Sequence, residues 1–373
     1  MYYLIMENVT NNQAQKKENE FEVSQDFDLP NQTVSLLEKQ KNLISIEKSM
    51  FKNYSKYALS SITHIYFYEN PIHQTNPLNK NLRPPEIYAT AASGDSKTYC
   101  AGFSNGEIHV FEQLTRKIIQ HSPDTILSLR YHPLKSYILL SISSAGEVVY
   151  SHIPSGKKLS KFDIAEKVPR CLDISANGEK FAIGFADGEV QIFDEKTQTL
   201  EKTFKSGTSF TTGHLDQIHS VVFDKSDQNR IITGGRDKRL LLWDVRTAQC
   251  NEMVVGPLIL GDTVDIKNNT IIAGNYDAPG NVQIFDIRNF KKALKIIKTE
   301  SQLYACKFSK RDNSDLFACG GYKRGAMKIF KLSNGNLESA IDGCEPVYSL
   351  DFSGNGSNIV YGCGDGGVRV VSV

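Results

Sequence analysis

Long apolar runs are absent from this sequence. No apolar stretch of the 373-residue chain approaches the roughly 18 residues that a membrane-spanning helix needs. Residues 1–6 form a short apolar segment without the basic residues that open a secretory signal. We therefore expect a soluble protein that is neither inserted in a membrane nor exported.

An excess of charge of either sign is also absent. The chain carries 43 Lys and Arg residues against 42 Asp and Glu residues, which gives a formal net charge of +1. This balance provides no electrostatic reason to expect nucleic acid or an anionic membrane as a partner. The seven cysteines are odd in number and include no CxxC pair, so we expect a reducing, cytoplasmic compartment.

Tryptophan occurs once, and the stretch that contains it is the most informative part of the chain. Residues 231–244 form two short apolar runs around a tight turn, end in Trp243-Asp244 and follow a Gly213-His214 pair. Weaker copies recur about every 40–50 residues, the spacing typical of propeller blades. Several of their turns contain Asn-Gly or Asp-Gly, the strongest short signal for a β-hairpin. The seven copies span 104–111, 144–150, 186–194, 231–244, 278–286, 323–330 and 364–371.

A second repeated pattern precedes each hairpin and supports the same count. It is a run of apolar residues whose third position is always small. Because the innermost strands of a radial array converge on its axis, only small side chains fit there. The third-position residues are Ala89, Ser128, Cys171, Ser220, Thr263, Ala305 and Ser349. The sequence therefore predicts an all-β, seven-bladed propeller closed into one ring.

Together these patterns resemble the WD-repeat (WD40) β-propeller family, from about Ser61 to the last residue. The resemblance implies a structural tetrad in blade four, where four side chains tie the outer loop, a strand and a turn together. They are His214, Thr233, Asp237 and Trp243. In the other blades Phe or Tyr is expected in the place of the tryptophan, and the Gly-His pair is missing.

Closure of the ring needs one more strand. The sequence ends at Val373, inside the expected third strand of blade seven, and an uncovered sheet edge invites aggregation. Residues 61–69 contain the strongly β-forming run Ile62–Tyr68. We expect this segment to supply the fourth strand, as in the family, so that the propeller spans residues 61–373.

Residues 1–60 form a separate N-terminal arm. Residues 7–32 are rich in Asn, Gln, Lys and Glu, a composition typical of disorder. A seven-residue apolar spacing over 33–51 predicts a short amphipathic helix. The helix either packs on the propeller of its own chain or binds a groove on a partner.

No group of residues in the sequence predicts catalysis, a metal site or a cofactor. The glycine-rich run 362–367 joins two strands, whereas a phosphate-binding loop joins a strand to a helix. His214 and His219 lie near Asp216, but no further ligand completes a metal site at suitable spacing. Four aspartates that could suggest acid–base pairs occupy equivalent repeat positions, which favours an architectural role. They are Asp124, Asp173, Asp265 and Asp351.

We therefore expect a non-enzymatic scaffold or adaptor that mediates protein–protein interactions within a multiprotein assembly. The second residue of each inner strand should lie near one mouth of the central channel. Tyrosine and arginine are enriched among interface anchors, so a partner is expected to bind there, unless the tyrosines merely plug the channel. The expected protein-binding residues are Tyr88, Arg170, His219, Tyr304 and Tyr348, and Leu127 and Asp262 occupy the same repeat position.

Two further resemblances suggest finer functions. The segments ending in Arg246 and Arg288 resemble the box by which some WD-repeat proteins dock on the cullin-4 adaptor DDB1, which implies a ubiquitin-ligase substrate receptor. Alternatively, each arginine pairs with the aspartate two residues before it. Residues 256–262 resemble a loop in some protist WD-repeat proteins. With the bias toward Asn, Lys, Ile and Tyr, this implies a ciliated protist and a cytoskeletal or axonemal assembly.

Overall fold

Short apolar runs separated by turns fold into β-strands throughout the described part of the chain. The computed structural model describes residues 65–68, 84–112, 115–164, 166–208, 210–322, 327–341 and 346–373. The expected N-terminal arm and its helix, and the start of the sixth hairpin copy at 323–326, lie outside the described residues. Within them, no helix could cross a bilayer.

Twenty-seven of the strands follow one another from blade one to blade seven. Blade one consists of β2 Ile87–Ala92, β3 Thr98–Phe103, β4 Glu107–Glu112 and β5 Thr115–Gln120. Blade two consists of β6 Ile126–His132, β7 Lys135–Ser143, β8 Glu147–His152 and β9 Lys157–Asp163. Blade three consists of β10 Pro169–Ile174, β11 Lys180–Phe185, β12 Val190–Asp194 and β13 Leu200–Phe204. Blade four consists of β14 Ile218–Phe223, β15 Arg230–Gly235, β16 Arg239–Asp244 and β17 Gln249–Val255, and blade five of β18 Val264–Lys267, β19 Thr270–Asn275, β20 Asn281–Asp286 and β21 Lys295–Lys298. Blade six consists of β22 Leu303–Phe308, β23 Leu316–Gly321, β24 Met327–Lys331 and β25 Leu337–Ile341. Blade seven contains β26 Val347–Phe352, β27 Asn358–Cys363 and β28 Val368–Ser372.

The strands assemble into seven four-stranded antiparallel sheets, so the predicted seven-bladed propeller is confirmed. In six blades the strand order follows the chain. In blade seven the order is β26-β27-β28-β1, where β1 is Ile65–Tyr68. Ile65 pairs with Val371 and Tyr68 with Val368. A strand near the start of the chain thus covers the edge of the last blade.

The core lies between neighbouring blades, around the converging inner strands. All seven small third-position residues are buried. The close approach of the next blade also explains why the second strand of most blades contains a glycine. A Cβ added to Gly184 in blade three would lie 2.8 Å from the Ile218 side chain of blade four, which is closer than a real Cβ allows.

Aspartates of three inner strands, the fifth residue of β10 and β26 and the second residue of β18, join adjacent blades. Each accepts the backbone N–H of the next blade's inner strand: Asp173 from Phe223 at 2.8 Å, Asp265 from Phe308 at 2.8 Å and Asp351 from Ala92 at 2.9 Å. These three are therefore architectural. The prediction of an equivalent position was wrong for Asp124, which precedes β6 and bonds within its own turn to Ser122.

Candidate protein-binding face

A β-bulge displaces the second residue of the inner strand in six of the seven blades. In each, the pairing register shifts between the first and third residues. A bulge leaves its extra residue outside the ladder and re-aims the side chain. The displaced residues are Tyr88, Leu127, Arg170, His219, Tyr304 and Tyr348.

The three displaced tyrosines are in mutual contact. The ring centroids of Tyr88 and Tyr348 are 5.5 Å apart, and those of Tyr304 and Tyr348 are 5.1 Å apart. Tyr276, which the sequence did not predict as part of this site, extends the row: its ring lies 5.0 Å from that of Tyr304, and the two hydroxyl oxygens are 3.1 Å apart. We call these four residues the tyrosine cluster. It runs across blades five, six, seven and one.

The tyrosine cluster is partly open to solvent and carries hydroxyl groups at the ends of its rings. Tyr88 is 38% exposed, and the other three side chains are half-buried. Tyr88 donates its hydroxyl hydrogen to the Glu86 carboxylate. Burial, followed by these hydrogen bonds, raises the pKa of Tyr88 and Tyr304 above the usual range. The cluster therefore offers apolar ring area, and the hydroxyl groups of Tyr88 and Tyr304 stay protonated at physiological pH.

Arg170 and His219 occupy the same position in blades three and four, on the other side of the ring. Their strands meet here, because the Cys171 thiol lies 3.8 Å from the Ile218 carbonyl oxygen. Burial lowers the pKa of His219 to about 4, and the charge of Arg170 acts in the same direction. His219 is therefore neutral at pH 7.

The prediction for the equivalent residue of blade five was wrong. Asp262 is turned into the channel, where its carboxylate accepts from Arg130 at 2.8 Å and from Lys307 at 2.7 Å. The reason is local: the blade-five strand begins at Val264, and the Asp262 carbonyl instead accepts the Cys306 N–H of blade six. Leu127 follows the bulge pattern but packs against the core between blades two and three.

A network of charged side chains fills the channel beyond the tyrosine cluster. Arg130 binds both Asp262 and Asp173, the latter at 3.1 Å. Burial would raise the pKa of Asp262, but the charges of Arg130 and Lys307 outweigh it and hold this pKa at about 2. Toward the far end of the inner strands the channel opens into a cavity of about 760 Å³. This network was not predictable from the sequence because its members come from different blades.

The four tetrad residues are joined by hydrogen bonds in blade four. The Thr233 hydroxyl accepts the Trp243 indole N–H at 2.8 Å and lies 2.7 Å from His214 Nε2. His214 Nδ1 is 3.0 Å from the Asp237 carboxylate, which also accepts the backbone N–H of Leu215. Both ring nitrogens of His214 are thus engaged in holding the blade together.

The other blades mostly hold the expected aromatic residue in the place of Trp243, and blades two and seven depart from that prediction. In four of them the strand register puts Phe in the tryptophan place: Phe111, Phe193, Phe285 and Phe330. In blades two and seven this place holds Ser151 and Val371, so the expectation of Phe or Tyr was wrong there. Blade two also keeps part of the tetrad, since His121 Nδ1 lies 2.6 Å from the Ser141 hydroxyl. Its histidine is offset by one residue from the blade-four pattern, which hid it.

Arg246 and Arg288 fold back on their own turns. Arg246 donates from Nε and Nη2 to Asp244 at 3.2 and 2.8 Å. Arg288 holds Asp286 in the same bidentate manner, at 2.9 and 2.5 Å. These hydrogen bonds lower the pKa of each aspartate to about 2. Both guanidinium groups remain largely exposed to solvent.

Comparison with known proteins agrees with this geometry. The family model described as "WD domain, G-beta repeat" matches residues 205–244, which include the tetrad, and residues 335–372 in blades six and seven. A guanine nucleotide-binding protein subunit beta of Oryza sativa subsp. japonica is 25% identical over 187 residues, 48% of this chain and 48% of that protein.

Other relatives match shorter stretches. GATOR2 complex protein WDR24 of Gallus gallus is 27% identical over 131 residues, 35% of this chain and 18% of that protein. THO complex subunit 3 of Arabidopsis thaliana is 26% identical over 127 residues, 31% of this chain and 36% of that protein. The matched region thus spans half or less of each of these relatives. The chain thus carries two stretches that match the WD-repeat model, on a β-propeller of seven four-stranded blades.

Proposed function

We propose that this protein is a non-enzymatic scaffold that binds other proteins on the face carrying the tyrosine cluster. The observation that carries the proposal is the set of six bulges, which displace the second residue of each inner strand. Three of those residues meet as one aromatic row at the channel mouth. A large, rigid aromatic area with polar tips is the usual composition of an interface anchor.

Solvent exposure favours binding over mere plugging of the channel. Tyr88 keeps 38% of its surface accessible, and Tyr322, whose hydroxyl is close enough to Tyr304 to raise its pKa, is 51% exposed. Residues that only filled the channel would be covered by their neighbours. Charged side chains already occupy the channel below, from Arg130 to Lys307.

The names of the relatives support membership in a larger assembly. Relatives are described as a subunit of a guanine nucleotide-binding protein, a GATOR2 complex protein and a THO complex subunit. Each is by its name part of a multiprotein unit. We extend the same role to this chain without transferring any particular partner.

The double variant Tyr304→Ala/Tyr348→Ala tests the proposal. Tagged full-length chains are expressed in the native cell, and co-purifying proteins are quantified by mass spectrometry. Loss of two anchor tyrosines should weaken binding of the main partner by about 2 kcal/mol or more. The variant should therefore recover much less of this partner than the wild type does. The control is Tyr137→Ala, which removes an exposed tyrosine on β7. Unchanged recovery of the partner with the double variant would mean that the partner binds another surface of the protein.

A substrate receptor of a cullin-4/DDB1-type ubiquitin ligase is the second candidate. Its support is the exposure of Arg246 and Arg288 at the ends of successive blades. Because each guanidinium is already held by its own aspartate, docking on DDB1 would have to compete with that pair. If the role is real, Arg246→Ala/Arg288→Ala should abolish co-purification of DDB1 and cullin-4. Absence of both proteins from the wild-type sample would eliminate this candidate.

We also propose a cytoplasmic location within a cytoskeletal or axonemal assembly. The cytoplasmic location rests on the seven cysteines, which are odd in number and include no CxxC pair, and the cytoskeletal assembly rests on the amino-acid bias and the loop at residues 256–262. A fluorescent fusion of the full-length chain tests it directly. Signal along cilia or cortical fibres that survives detergent extraction is expected, and a freely diffusing signal would contradict it.

A further inference from the structure

Arg170 carries a positive charge that nothing in the described residues neutralises. Its guanidinium makes no hydrogen bond or ion pair there, and its Nε is buried without an acceptor. His219 Nε2, on the adjoining inner strand, is buried without a partner in the described residues as well. The side chains of Arg170 and His219, both at bulged positions of neighbouring inner strands, thus each have a buried nitrogen without a hydrogen-bond partner in the described residues.

The other charges near this pair are already balanced. Arg236, which acts on His219 electrostatically, binds Asp216 at 3.2 Å. Lys167, three residues before Arg170, binds Glu189 at 2.7 Å and also Asp187, and Lys205 balances the second carboxylate by binding Glu189 at 3.2 Å. With His219 neutral, a single uncompensated positive charge remains at this side of the channel mouth.

Unsatisfied buried polar groups are costly, and native proteins pair nearly all of them. A negatively charged ligand would balance the charge of Arg170 by binding the part of the guanidinium that is not buried. The planar guanidinium matches a carboxylate with two parallel hydrogen bonds. One net positive charge balances one carboxylate, whereas a phosphate monoester brings a charge of about −1.5 to −2.

We propose that Arg170 and His219 form a subsite for a single carboxylate, an Asp or Glu side chain of the bound partner. The inference rests on the proposed function, because the same partner segment places apolar or aromatic residues on the tyrosine cluster. Because Nε is buried, Arg170 donates to both carboxylate oxygens from its two terminal nitrogens, and His219, whose Nε2 is buried as well, interacts with the carboxylate through its charge alone. The partner is therefore an acidic–aromatic segment and not a basic one.

A random dodecapeptide phage library provides an unbiased probe. Panning on the full-length wild type should enrich peptides that share one Asp or Glu beside an apolar or aromatic residue. Arg170→Glu should eliminate these peptides and select Lys or Arg at the same peptide position. Arg116→Glu, an exposed arginine on the outer strand β5, makes the same charge change elsewhere and should leave the selection unaltered.

Binding of a synthetic copy of the most enriched peptide then distinguishes the carboxylate subsite from the alternatives. Its affinity should fall at least tenfold with Arg170→Gln, and also when its acidic residue is replaced by the matching amide. Tighter binding after replacement of that residue by phosphoserine would overturn the carboxylate assignment. Binding that needs Tyr304 and Tyr348 but ignores Arg170→Gln would overturn the subsite and leave the proposed function standing. Enrichment of no peptide by the wild type would contradict both.

Protonation of His219 gives a readout that a merely structural role would not move. A bound carboxylate stabilises the imidazolium form, so the pKa of His219, about 4 in the free protein, should rise on binding. Titration of the imidazole signals by NMR, with and without saturating peptide, measures the change. A pKa that stays the same in the complex would contradict a carboxylate bound beside His219.

Discussion

Arg130 of blade two and Asp262 of blade five form an ion pair at 2.8 Å across the central channel. Lys307 of blade six joins the same carboxylate at 2.7 Å. Neighbouring blades are already connected by their packed inner strands, whereas this pair connects blades that are far apart in the ring. The channel is therefore held together by charge as well as by packing.

Asp262→Asn should destabilise the propeller strongly. The substitution keeps the shape of the side chain but leaves Arg130 and Lys307 without their shared carboxylate. Breaking a largely buried ion pair costs about 3 kcal/mol, which urea unfolding would measure. Asp277→Asn is the control, because Asp277 forms an exposed pair with Lys238 that should contribute about 1 kcal/mol or less. Equal midpoints for the two variants would contradict the account of the channel.

The contribution of Asp262 should depend on pH in a defined window. Its pKa is lowered to about 2 in the folded protein, against about 3.9 for an unfolded aspartate. A depressed pKa stabilises the folded state above the unfolded value, and this stabilisation is lost as the pH falls toward 2. The stability difference between wild type and Asp262→Asn should therefore be constant from pH 7 to 5 and shrink below about pH 4. Urea midpoints at a series of pH values test this, and a difference independent of pH would refute it.

Thr233→Val should destabilise blade four. The substitution removes the hydroxyl that serves both Trp243 and His214, and leaves two buried polar groups without their partner. We expect a cost of about 2 kcal/mol in the free energy of unfolding. Thr247→Val, in an exposed turn of the same blade, should change it by less than about 0.5 kcal/mol. A Thr233→Val midpoint equal to that of the control would show that the tetrad adds little.

Disrupting β1 should open blade seven without unfolding the rest. Proline cannot donate to a β-ladder, so Tyr66→Pro/Phe67→Pro should remove pairing with β28. Amides across Ile359–Val373 should then exchange faster, while those of blades two to five keep their protection. Hydrogen exchange followed by mass spectrometry measures both regions. Retained protection across Ile359–Val373 would mean that β1 contributes little to the closure.

Features that repeat along the chain were predictable from the sequence. Small residues such as Ala305 and hairpin turns recur at fixed spacing, and repetition separates an architectural signal from chance. Tyr304 and Tyr348 were found in the same way, because the bulged position repeats with the blade. The tetrad pattern was recognisable because His214 and Trp243 are the family's most distinctive residue types.

Features that arise from ring closure were not predictable in this way. Arg130 and Asp262 are 132 residues apart in the chain and meet only because blades two and five face one channel. Asp262 shares the repeat position of Tyr304, yet its strand lacks the bulge that would turn it toward the mouth. Tyr276 lies on a loop after a second strand, where no repeated pattern marks it.

Hydrogen exchange of the full-length chain with and without its recovered partner is the most direct test of the central claim. If the tyrosine cluster is the binding face, the partner should slow exchange in the segments around Tyr88, Tyr276, Tyr304 and Tyr348. The outer strands, β17 and β21 among them, should exchange at unchanged rates. Protection confined to the outer strands, with the four tyrosine segments unaffected, would contradict the assignment of this face.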